Sequence, residues 1–273
     1  MTTILIVSGI RHPFPPDWSA KSKPKQTHPL HGIKIRLARA NEHLANIENI
    51  SRTFSHSHEI VREMEPDGVH EAVKLLVAPI PEMLPVIVSE LVFHLRSALD
   101  NLACCLAVAN GKSTTGVSFP IAADRTEFED PKMQSRIRKL SSAAQKLVHR
   151  LKPYKGGDNL LWAMNKLRNN DIHVRLVSHI LHGPHWKAST ITTSIPGPFG
   201  SSMIEIQYPE TFEDQLVLAR CTAGASVEYD TKPDIDIAFS DIEFLEGERV
   251  VAKLRQMVDR TERIVQIFER HFF

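Results

Sequence analysis

The sequence predicts a mainly helical α+β protein: a helical bundle with a β-hairpin after its first helix and a small antiparallel β segment before its last. Three observations predict it. Apolar residues recur at helical spacing over most of the chain outside residues 186–240. A tight-turn signal, Pro66-Asp67-Gly68, divides two runs whose period differs from that of the helix before them. Between 186 and 240 the pattern turns to short runs separated by Gly and Pro.

Residues 1–29 carry Pro13, Pro15, Pro16, Pro24 and Pro29 among Lys and Ser, which predicts a flexible arm, because prolines remove backbone donors. A single α+β domain is expected over 30–273. Its first helix, about 32–54, places Ile33, Leu37, Leu44, Ile47 and Ile50 on one face. The β-hairpin covers about 59–77. Pro79 and Pro81 then precede a helix over about 82–110, stopped by Gly111. That helix is apolar nearly all round, from Val86 to Leu106, so it is expected at the centre. Residues 111–130 read as a connection anchored by Ser118-Phe119-Pro120-Ile121. Further helices are expected over about 131–151 and, behind an Asp158 N-cap, about 159–182. The β segment spans about 186–240, with strands at 190–194, 203–208, 215–221 and 235–239. An amphipathic helix over about 246–273, with Val250, Leu254, Val258, Ile264, Val265 and Phe268 on one stripe, closes the chain.

The 273 residues suffice for a substantial core, and 42% hydrophobic with 24% charged residues is ordinary globular composition. Lys+Arg 33 against Asp+Glu 32 excludes a protein wrapped wholesale around nucleic acid, while allowing a local basic patch. The three cysteines, Cys104, Cys105 and Cys221, form neither a disulfide framework nor a Cys-x-x-Cys zinc pair. A reducing, cytoplasmic setting is expected. The apolar opening, Ile4 to Val7, is too short to span a bilayer and lacks a preceding cationic stretch, so no membrane partner is expected.

Polar residues on helices that should be buried carry the functional information. On the central helix Glu90, His94, Ser97 and Asn101 follow i, i+4, i+7, i+11 spacing and form one polar stripe. Arg96 and Asp100 are an i,i+4 pair beside it. On the 159–182 helix, Asp171 falls about 20° from Leu160 on the core-facing stripe, with Arg168 and Arg175 in reach as counter-ions. A carboxylate on that face must be paired or protonated. These groups are expected to form a buried polar network or to line a ligand cleft, in a non-catalytic binding or self-associating protein, with a homodimer as the expected assembly.

A second reading starts from Arg168-Asn169-Asn170-Asp171-Ile172-His173, which resembles the Arg-Asn-x-x-x-His motif of HEPN-domain proteins. These are helical bundles that often act as metal-independent ribonucleases in toxin and antiviral systems. The resemblance implies that Arg168 holds phosphate or its developing charge, that His173 is the acid/base group, and that Asn169 orients the substrate. RNA or a nucleotide is then the partner, and two subunits form the cleft. On one ideal helix Arg168 and His173 point about 140° apart. Their meeting therefore requires a broken helix or a second chain. The chain also resembles a broader set of uncharacterised bacterial proteins that pair a Leu-Arg-Ser-Ala-Leu-Asp helix, here Leu95 to Asp100, with a later Asp-x-His segment, here Asp171 to His173. That second resemblance implies no activity.

Other signals weigh less. His56 with His58, and His179 with His182 and His185, have spacings that can bind a transition metal, but no cysteine joins them and no metal is expected. Lys152 to Asp158 lacks the Gly-x-x-x-x-Gly-Lys-Ser/Thr pattern of a phosphate loop, and no serine lies in a Gly-x-Ser-x-Gly elbow. No cofactor is expected.

Overall fold

The structure, a computed structural model, describes residues 28–169, 175–181, 189–194, 201–206, 211–212, 215–229, 234–240 and 242–273. The expected arm is outside this set except for His28 and Pro29. The chain is already docked there, since Leu30 is buried and the Pro29 carbonyl accepts a bond from Cys105 Sγ at 3.4 Å.

Helix α1 (His31–Ser55) buries Ile33, Leu37, Ala40, Leu44, Ile47, Ser51 and Phe54, an alternation of four and three residues that keeps one stripe facing inward. It lies antiparallel to α2 (Met83–Ala109), as the Pro29–Cys105 contact at one end and the His43–His94 contact further along require. Lys112 N–H bonds to Ala107 O and Gly111 N–H to Val108 O, a Schellman ending that needs the left-handed φ of 68° at Gly111. By length and composition α2 could cross a membrane. Within the fold, however, 56% of its most apolar window is buried, and it runs through the core.

Between these helices, β1 (His58–Met64) and β2 (His70–Val77) form the expected hairpin, registered from His58↔Val77 to Met64↔Glu71. Asp67 Oδ1 accepts from the Val69 and His70 amides at 2.8 and 2.9 Å, fixing the turn. Hydrogen bonds from the His70 side chain and these amides hold the Asp67 carboxyl down at about 2. The hairpin does not stand alone. Strand β7 (Gln215–Thr222), expected in the separate β segment, pairs antiparallel with β2.

The expected helix over 131–151 is two helices, α4 (Pro131–Ile137) and α5 (Ser142–Leu151). Ser141 accepts from the Ala144 amide as N-cap of the second, and a serine favours that position over continuing a helix. The connection before them holds a short helix, α3 (Arg125–Glu129), capped by Asp124 accepting from the Glu127 amide.

The largest departure is at the expected 159–182 helix. Helix α6 spans Asn159–Asn169, whereas Leu176–Leu181, expected in the same helix, form strand β3. The ladder to β9 (Asp234–Phe239), from Leu176↔Phe239 to Leu181↔Asp234, then satisfies the backbone of β3. Strand β3 sits between β9 and β6 (Thr211–Phe212), while β4 (Ser189–Ser194) sits between β5 (Ser201–Ile206) and β8 (Ser226–Tyr229). All of these pairings are antiparallel.

The last helix, α7 (Val250–Phe272), starts four residues later than expected. The segment before it folds back on β9, with the Phe239 amide bonded to Glu248 O and the Gly247 amide to Phe239 O. Its stripe from Val250 to Phe268 packs on α1, α2, α6 and β9. One apolar cluster joins these elements with β2 and β7.

Candidate functional site

The α2 position that places Arg96 toward the core also points it at the 111–124 connection and at α6. The side chain is 6% exposed. Nη1 lies 2.7 Å from Asp100 Oδ1 in an ionic contact, Nη2 donates to the Phe119 carbonyl at 2.9 Å, and Nε donates to Asn165 Oδ1 at 3.1 Å. Asp100 Oδ1 in turn accepts from the Phe119 amide at 2.8 Å. The ion pair therefore grips both backbone groups of Phe119, whose ring is buried. Burial pulls the Arg96 pKa down, Asp100 opposes it, and the nearby Arg168 and Arg136 charges pull it down further. An arginine starts so high that it stays charged.

Arg136 on α4 and Arg168 on α6 thus each lie within electrostatic reach of Arg96 on α2. Arg136 donates to Ser118 Oγ at 3.5 Å, in the same connection that Arg96 grips. Arg168 and Asn169 end α6 on its solvent-exposed side. Asp171 and His173 lie outside the described residues. The helix expected to carry both is described only over Asn159–Asn169. Arg175 is exposed, and its carbonyl accepts from the Ser240 amide at 3.0 Å.

The stripe of Glu90, His94, Ser97 and Asn101 does not face the core. Glu90 is exposed and the other three are half-buried, along the edge where α2 meets α1. The same outward side carries the exposed Met83, Val86, Phe93 and Val108, where no element among the described residues covers it. Helical spacing showed that these residues share a face, but not which way the face turns. What it does form is a contact with α1: the His43 and His94 rings stack at 5.6 Å and 20°, with His43 Nδ1 3.6 Å from Glu90 Oε2. His94 Nδ1 is buried and, among the described residues, has no hydrogen-bond partner.

Burial first, then the Arg39 charge, lowers the His43 pKa; burial first, then His43, Arg36 and Arg39, lowers that of His94. A histidine whose pKa is lower folded than unfolded contributes stability above its unfolded value of about 6.5 and loses it as pH falls below that value. Urea unfolding at pH 7.5 and 5.5 should show the wild type losing more stability than a His43→Gln/His94→Gln variant. Equal losses would remove the pair from the pH response.

Sequence reasoning missed a buried carboxylate on β9. Asp236 is 5% exposed and accepts from Ser51 Oγ at 2.7 Å, Arg249 Nε at 2.5 Å and the Ile237 amide at 2.8 Å. A signal existed, since Ser51 falls on the α1 core stripe between Ile47 and Phe54, where a hydroxyl needs a partner. Among the described residues no group of three His, Cys, Asp or Glu side chains is placed to hold a metal. Burial raises the thiol pKa of Cys104 and Cys105, which keeps both protonated and weakly nucleophilic. Comparison with family models, curated proteins and solved structures finds no match.

Proposed function

We propose that the protein is a non-catalytic binding module that takes a phosphate-bearing ligand at the junction of α2, α4 and α6. The observation that carries this reading is the approach of Arg136 and Arg168 to Arg96. Gathering like charges costs energy unless an anion offsets it. Asp100, the carboxylate paired there among the described residues, is already held by Arg96 and the Phe119 amide. Arg96 is buried, with Nε and Nη2 bonded to protein groups and Nη1 set against Asp100, so Arg136 and Arg168 are the arms left to meet phosphate oxygens. Fluorescence anisotropy of a labelled single-stranded RNA should show a roughly tenfold loss of affinity, about 1.4 kcal/mol, in Arg136→Ala/Arg168→Ala. Affinity equal to wild type would contradict the assignment.

A ribonuclease of HEPN type is the second reading, favoured by the exposure of both Arg168 and Asn169 at a helix end, where a substrate could reach them. Under it, His173 supplies the acid/base group. Incubation of a panel of RNAs with wild type and with His173→Ala separates the two readings. Cleavage by the wild type alone supports catalysis, and intact RNA in both supports binding.

A further inference from the structure

The C-terminal half of α1, β9 and the start of α7 enclose a cleft of about 340 Å³ whose floor is Asp236. Its size is at the small end of ligand pockets. The floor carboxylate is neutralised rather than free, because Ser51, Arg249 and the Ile237 amide all bond to it. That arrangement fixes Arg249 at the wall. Opposite, Arg255 pairs with Glu48 across the rim. Arg52 also lines the cleft, and among the described residues its guanidinium has no hydrogen bond or ion pair. Two carboxylates and three arginines leave the cleft with one cationic group in excess.

The first turn of α7 borders the same cleft. Helix α7 begins at Val250 with no side-chain cap and no acidic residue in its first turn, and Val251 of that turn lines the cleft. Uncapped first-turn amides carry partial positive charge directed out of the helix end. An unpaired arginine together with uncapped first-turn amides suits an anion with several oxygens, a phosphate, better than a planar carboxylate. Among the described residues the lining contains no aromatic side chain on which a nucleobase could stack, while Glu48 and Ser55 offer partners for hydroxyl groups.

We infer that this cleft binds a phosphate monoester of a small polyol or sugar, with Arg52 and the first turn of α7 on the phosphate and Arg249 held as a wall by Asp236. The site is separate from the α2–α4–α6 junction and stands whether or not that junction binds RNA. Isothermal titration of the full chain with ribose 5-phosphate, ribose and malate tests it. Saturable binding of ribose 5-phosphate is expected, with none for ribose and at least tenfold weaker binding for malate. Arg52→Ala should weaken ribose 5-phosphate at least tenfold with an unchanged melting temperature, since Arg52 is exposed. Arg125→Ala, an exposed change on α3, should bind as wild type does. Absence of saturable binding for ribose 5-phosphate, equal affinity for malate, or an Arg52→Ala variant as tight as wild type would each overturn the inference.

Discussion

Arg96→Ala lowers the stability of the protein by about 3–5 kcal/mol, the cost of breaking a buried ion pair from one side. Three groups lose their partner at once. Asp100 becomes a carboxylate without its cation, the Phe119 carbonyl loses its donor, and Asn165 Oδ1 loses the Nε–H that reached it. The side chain is buried between α2 and the 111–124 connection, so water replaces these partners only if that segment loosens. Arg96→Lys keeps the charge but has no planar fork to reach Asp100, Phe119 and Asn165 together, and should fall between alanine and wild type. Urea unfolding gives both values. A midpoint within error of wild type for Arg96→Ala would mean that the clamp on Phe119 does not hold the fold together.

Asp236→Ala should cost about 3 kcal/mol, because it strips a buried carboxylate from Ser51, the Ile237 amide and Arg249. The loss on the Arg249 side is softened, since that side chain is about half exposed and water can replace its partner. The buried Ser51 hydroxyl has no such replacement. Asp236→Asn keeps an oxygen for Ser51 and should therefore cost less, about 1 kcal/mol. Denaturant titration of both variants checks the order. Equal losses would show that the charge, rather than the hydrogen bonds, is what β9 contributes.

Helix positions were legible wherever one face is buried along the whole element. The spacing of Ile33, Leu37, Leu44 and Ile47 on α1, and of Val250, Leu254, Val258 and Ile264 on α7, is the direct imprint of that face. The β-hairpin was legible because Asp67 and Gly68 specify their turn locally. Strand β3 was not, because its partner β9 lies more than fifty residues away, and Leu167, Val174 and Ser178 satisfy helical spacing too.

The site divides in the same way. The i,i+4 pairing of Arg96 with Asp100 follows from helix geometry and holds. That Phe119 completes it depends on the path of a connection, which spacing does not encode. Glu90, His94, Ser97 and Asn101 do share one side of α2, yet whether α1 or solvent meets that side is set by packing. Asp236 was hidden because Ile235-Asp236-Ile237 alternates like a half-exposed strand, whereas β9 is buried on both faces.

Arg96 serves the fold, and under the proposed reading Arg136 and Arg168 meet phosphate. Affinity for single-stranded RNA, measured over a series of salt concentrations, tests this most directly. Each phosphate contact contributes about 0.7 to the slope of log affinity against log salt. Replacing Arg136 and Arg168 with alanine should flatten that slope by about 1.4 at an unchanged melting temperature. A slope equal to that of wild type would place phosphate binding, if there is any, elsewhere on the molecule.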